Sequence, residues 1–159
     1  MLIVIGLLLF VVIGWNAFAC MHVLAMTRFV DAATRTPAPE ALSLGEKIKT
    51  LICGVRLPRP ENSATPADFG MPYASLTIQS EADVSLGVWH MAAPEHRGLV
   101  ILFHGYSSDK SALLEEANVF FDIGYDCLLV DFPGSGESSG NRTTVGYNEG
   151  CDVSATFAY

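Results

Sequence analysis

Between Gly98 and Gly140 the chain reads GLVILFHGYSSDKSALLEEANVFFDIGYDCLLVDFPGSGESSG, and this stretch constrains the fold more than any other. An apolar run, Leu99–Phe103, stops at His104-Gly105. A helical pattern follows, with Asp109 at its start and Gly124 just past its end. A second apolar run, Cys127–Phe132, closes into the turn Pro133-Gly134-Ser135-Gly136. Short continuous apolar runs bounded by turn residues read as strands buried on both faces. Two of them joined by one helix form a β-α-β unit with parallel strands. The fold class is therefore α/β.

Upstream, Ala74–Ser80 and Val84–His90 alternate apolar and polar residues: Leu76 and Ile78, then Val84, Leu86 and Val88. With Ser80-Glu81-Ala82-Asp83 between them they predict an antiparallel hairpin. After Gly140 a last helix is expected from about Val145 to the end. Glu149 and Asp152 near its start suit the helix dipole, and Gly150 weakens it by about 1 kcal/mol relative to alanine.

Met1 to about Met26 is almost wholly apolar, broken only by Asn16 and His22. About 25 such residues, rising 1.5 Å each, cross a hydrocarbon layer of roughly 30 Å. The rival is a cleaved signal peptide, since Ala17-Phe18-Ala19 precedes Cys20 as a small-residue cleavage pattern. No Lys or Arg precedes the run and it continues past that cut as MHVLAM, which favours a retained single-pass anchor. Arg28 and Arg35 follow the span, so the positive-inside rule places the C-terminal part in the cytoplasm.

Residues 27–70 read as a juxtamembrane linker. Prolines mark 34–40 and 59–70 as connecting segments. Between them lies an amphipathic helix over 43–54. Ser43 and Glu46 make a capping box, Leu44, Ile48, Leu51, Ile52 and Val55 share a face, and Gly54, Pro58 and Pro60 end it. Lys47 and Lys49 flank the apolar stripe. The helix therefore suits either an anionic membrane surface or packing against the domain at 71–159, and the second is favoured.

A chain of 159 residues allows one core of ordinary size. Residues 1–60 carry six Lys/Arg against three Asp/Glu, and residues 61–159 three against fourteen. The globular part is acidic, so no nucleic-acid partner is indicated. The four cysteines, at 20, 53, 127 and 151, show neither CxxC nor metal-ligand spacing. Cys127, in a predicted buried strand, behaves as a small hydrophobe. His90, His96 and His104 form no ligand motif, and Gly134, Gly136 and Gly140 do not match a dinucleotide fingerprint. No metal or cofactor is expected.

The paired motifs HGYSS and DFPGSGESSG resemble the early half of the α/β-hydrolase superfamily, most closely its serine aminopeptidase-like branch, over about Ser75 to Tyr159. The resemblance implies the first half of that sheet, an antiparallel hairpin followed by a parallel β-α-β unit, behind an N-terminal transmembrane helix. It also implies that the residue after His104-Gly105, Tyr106, gives a backbone N–H to an oxyanion hole. The family's nucleophile, triad acid and triad histidine come later in its chain order than this sequence reaches. Gly136-Glu137-Ser138-Ser139-Gly140 fits G-x-S-x-G, but that motif works only where a strand runs straight into a sharp turn and helix. Here the turn precedes it, so Ser138 is read as a decoy. The resemblance likewise makes His104 and Asp131 architectural.

The expectation is a membrane-anchored hydrolase of small-molecule esters or peptides, truncated before its nucleophile and inactive as it stands. The alternatives are a non-enzymatic membrane protein whose partial domain binds a partner chain, and a minimal hydrolase using Ser138. The sequence leaves the oligomeric state open.

Overall fold

The computed structural model describes residues 1–31, 34–80 and 83–159. They form two compact units, Met1–Pro58 and Arg59–Tyr159.

The first unit begins with helix α1, Leu2–Thr27, which is unbroken and has no buried residue. Strand β1, Phe29–Val30, pairs in parallel with β2, Leu57–Pro58, and Phe29 faces Leu57 in that register. Between them lies α2, Leu44–Cys53. The Ser43 hydroxyl accepts from the Glu46 amide at 3.4 Å, and the Glu46 carboxylate accepts from the Ser43 amide at 2.8 Å. These bonds satisfy two of the amides that every helix start leaves unpaired. Thr36 and Arg56 bridge the ends of the intervening segment: the Thr36 amide donates to the Arg56 carbonyl at 3.1 Å, and the Arg56 amide donates to the Thr36 hydroxyl at 2.7 Å.

The second unit is a four-stranded sheet in the order β3-β4-β6-β5. Strands β3, Ala74–Gln79, and β4, Ser85–Met91, are the predicted hairpin; Glu81 and Ala82 of its turn lie outside the described residues. Strand β5, Leu99–Phe103, pairs in parallel with β6, Asp126–Val130, and β4 runs antiparallel to β6. Helix α3, Leu114–Asp122, joins β5 to β6.

Alternation along the strands divides the core in two. On one face Trp89, Met91, Cys127 and Leu129 pack with Met71 and with Leu114 and Ala117 of α3. On the other, Ile78, Leu86, Val88, Leu128 and Val130 form a second cluster. Burying residues on both faces of β6 explains why its sequence reads as a continuous apolar run.

The structure differs from the sequence reading in four places. The segment Arg59–Gly70 is not a linker. It belongs to the second unit, with Pro66 buried in a 3-10 turn, Pro66–Phe69, capped by Thr65 and Asp68. The helix after β5 opens as a 3-10 turn, Lys110–Leu113, because Asp109 accepts from the Ser111 amide and tightens the first turn. Strand β6 stops at Val130 rather than Phe132, because the Phe132 amide donates to the His104 ring instead of to a strand. The last helix, α4, is Glu149–Ala158 rather than beginning near Val145. Val145 and Gly146 have φ of +54° and +100°, which a right-handed helix does not accommodate.

Candidate active site

The loop leaving β5 carries His104, Gly105 and Tyr106 and is braced at both ends. At its start His104 is buried; its Nδ1–H donates to the Gly105 carbonyl at 2.8 Å and its Nε2 accepts from the Phe132 amide at 3.0 Å. Those two bonds fix the tautomer and occupy both ring nitrogens, so the imidazole joins the ends of two parallel strands. Phe132 also stacks on Phe103, with ring centroids 5.3 Å apart. Between the braces the Tyr106 side chain is half exposed, and Ser107 takes a left-handed φ of +54°.

The second brace is a buried ionic cluster. Asp131 and Lys110 are both 0% exposed. Asp131 Oδ1 accepts from the Lys110 amide at 2.8 Å, and Oδ2 accepts from Lys110 Nζ at 2.8 Å and from the Glu137 amide at 2.9 Å. Asn62 Nδ2 adds a bond at 3.3 Å. Lys110 Nζ reaches Glu137 Oε2 at 2.7 Å and lies 4.3 Å from the centroid of the Trp89 ring. Two charges removed from water persist only with such dense pairing. A Cβ on Gly136 would fall 2.0 Å from Asp131 Oδ2, so only glycine lets the turn close over the carboxylate.

The turn after β6 is itself clamped. The Arg59 guanidinium donates to the carbonyls of Gly136 (3.2 Å), Ser138 and Gly140, and the Gly136 amide donates to Pro60 at 2.9 Å. Ser138 is 3% exposed; its hydroxyl donates to the Asp131 carbonyl at 2.6 Å and accepts from the Gly87 amide at 2.8 Å. An activated nucleophile needs a base holding its proton, and the Ser138 proton is given to a backbone carbonyl instead. Asp131 is engaged by Lys110, Glu137 and Asn62 rather than by a histidine. None of His104, Asp131 and Ser138 is arranged as a triad member.

Further along, the Glu149 carboxylate accepts from the Thr143 hydroxyl at 2.7 Å, from the Thr144 and Gly146 amides at 2.8 and 2.9 Å, and from the Thr144 hydroxyl. Burial alone would raise its pKa, but these bonds outweigh it, the Thr144 hydroxyl foremost, and hold the group at about 2. Burial pushes the Cys127 thiol the other way, up to about 11, with Asp126 adding to the effect.

The chain matches no protein-family model and no curated protein. Solved structures do resemble it over part of its length. The Pyrococcus furiosus esterase Pf2001 matches with a TM-score of 0.58 and 30% identity, over 64% of this chain and 40% of the esterase. Another crystal form of that esterase gives 0.55 and 26%, over 64% and 38%. This chain carries the N-terminal portion of an α/β-hydrolase fold. It spans about two-fifths of that esterase's length.

Within this hydrolase portion, sequence reasoning missed Lys110, Glu137, Asn62 and Arg59. Only Lys110 left a signal. A cation in the first turn of a helix opposes the dipole, so its presence there implied an anionic partner.

Proposed function

We propose that this chain is the membrane-anchored N-terminal part of a serine hydrolase of esters or peptides. On this reading residues 1–159 are inactive alone, because the nucleophile, triad acid and triad histidine lie outside them. The observation that carries the reading is the braced loop His104–Ser107 at the carboxyl end of a parallel strand, in a fold shared with an esterase. Tyr106 N–H then supplies one oxyanion donor, and the second belongs to the residue after the nucleophile.

The anchor reading is supported by α1. An 18-residue stretch of this 26-residue helix reaches a mean hydropathy of 2.5, and the helix runs straight through the Ala17–Cys20 cleavage pattern. Arg28 and Arg35 just past it favour a cytoplasmic second unit. The chain is expected to stay in the membrane pellet through alkaline carbonate washing with Met1 or Leu2 still at its N-terminus. A mature protein starting at Cys20 overturns the anchor.

A fluorophosphonate probe should not label residues 1–159 above background, and Ser138→Ala should change nothing. Stoichiometric labelling lost in that variant would make Ser138 the nucleophile after all. When a strand with a G-x-S-x-G turn and the later triad residues complete the sheet, ester hydrolysis should appear. Tyr106→Pro, which removes the donor N–H, should then lower kcat about 100- to 1000-fold, whereas Tyr106→Ala, which keeps it, should not. Equal loss in both variants would remove Tyr106 from the oxyanion hole.

A further inference from the structure

We propose that α2 is an in-plane interfacial helix that lays its apolar face on an anionic lipid surface beside the span. This rests on α1 being a membrane anchor.

Three observations carry it. First, the apolar face of α2 stands exposed, which does not suit a helix that lives in water. Glu46, Lys49, Thr50 and Cys53, on its polar side, line a hollow with Thr34, Arg35, Thr36 and Arg56. Leu44, Ile48, Leu51 and Ile52 are 75%, 51%, 67% and 55% exposed, and no residue of α2 is buried among the described residues. At 3.6 residues per turn those four occupy an arc of roughly 100°, the width of a buried stripe.

Second, α2 is fixed to α1 at a definite level. His22 Nε2–H donates to the Leu51 carbonyl at 2.9 Å, satisfying one of the acceptors left open in the last turn of α2. A Cβ on Gly54 would sit 2.6 Å from Ala25 Cβ, and Gly54 takes φ +80°, so the two helices meet there as closely as glycine allows. Residues 2–21 at about 1.5 Å each already cover the roughly 30 Å of hydrocarbon. His22 therefore falls at its edge, and α2 is held at the depth where amphipathic helices lie.

Third, the charges match. Lys47 and Lys49 stand on either side of the apolar arc, and Glu46 lies opposite it in the capping box. Lysines so placed reach headgroups while their stems extend the apolar surface. The unit Met1–Pro58 carries five Lys/Arg (Arg28, Arg35, Lys47, Lys49, Arg56) against three Asp/Glu (Asp31, Glu40, Glu46). That excess favours anionic lipid.

The test uses the full chain in vesicles of phosphatidylcholine with or without phosphatidylglycerol. Cys20, Cys53 and Cys151 are replaced by serine; Cys127 stays, being buried with its thiol pKa raised. An environment-sensitive fluorophore is attached at Ile48→Cys, on the apolar face, or at Thr50→Cys, on the polar face. The proposal expects blue-shifted emission at position 48, quenched several-fold more strongly by a lipid-borne nitroxide than at position 50, and more so with phosphatidylglycerol present. Lys47→Gln with Lys49→Gln should return the position-48 signal toward its value on neutral vesicles.

Water-like emission at both positions, in a chain that survives carbonate washing, overturns the interfacial helix and leaves the anchor standing. Blue-shifted emission immune to the lipid quencher overturns it in favour of a protein cover. Loss of the chain from the carbonate pellet overturns the anchor, and this proposal with it.

Discussion

The two units use apolar residues in opposite ways. In Arg59–Tyr159 they point inward, filling both faces of a four-stranded sheet. In Met1–Pro58 only Phe29 and Leu57 are buried among the described residues, while α1 and α2 present leucines, isoleucines and valines outward. The polar groups are reversed as well. The second unit hides a lysine, a histidine, three carboxylates and several hydroxyls inside, whereas the Asp, Glu, Lys and Arg side chains of the first are exposed. A fold that buries charge must pair it; a fold that exposes hydrocarbon must find a medium other than water.

The sharpest way to break this contrast is to remove one charge from each unit. Lys110→Ala leaves Asp131 buried without its cation, and breaking such a pair by one partner costs about 3–5 kcal/mol. Against a typical net stability of about 5–15 kcal/mol, that is enough to show as a large fall in the urea midpoint. It would be followed by Trp89 fluorescence in a Trp15→Phe background. Lys47→Gln, on the surface of α2, should move the same midpoint by no more than about 0.5 kcal/mol. Equal effects would mean that the Lys110 cluster is solvated and that the contrast between the units is false.

Acid offers a second comparison. Glu149 is held at about 2 in the folded chain against an ordinary 4.5, so the folded state favours its carboxylate. Its contribution, on the order of 3 kcal/mol, is fully present above about pH 4.5 and is lost as pH falls through about 2. Glu149→Gln should therefore destabilise the second unit at neutral pH and flatten the acid limb of its stability curve between those values. An unchanged limb would show that the threonine nest around Glu149 persists without a charge. Glu46 is also held below its ordinary value by the Ser43 hydroxyl and amide, but in open solvent, and Glu46→Gln should leave the acid limb unaltered.

Much of this architecture was legible because it is local. The β-α-β unit, the hairpin and the capping box at Ser43 are each written within a few neighbouring residues, in apolar spacing and turn chemistry. What sequence did not show is what distant residues do together. Lys110 meets Asp131 and Glu137 from 21 and 27 positions away, and Arg59 reaches Gly140 across 81. Arg59 in particular sits between two prolines, where composition alone reads as linker. The start of α4 was misplaced for a related reason: Glu149 suits a helix dipole anywhere in a first turn, and only its hydrogen bonds to Thr143, Thr144 and Gly146 set where that turn begins.

The smallest expected effect bears on the first unit alone. Ser43→Ala removes the side-chain acceptor at the start of α2, a change that costs a helix about 1 kcal/mol. Amide exchange at Lys47 and Ile48 should then quicken about five-fold in the full chain held in neutral detergent micelles, since α2 has little else to hold its first turn. On anionic vesicles the same substitution should matter less. If the face of Leu44, Ile48, Leu51 and Ile52 rests on lipid, its opening must also lift apolar surface from that lipid, and the cap becomes a minor part of the barrier to exchange. Equal acceleration in both media would mean that vesicles add nothing to the hold on α2, and that its exposed face belongs to a protein partner instead.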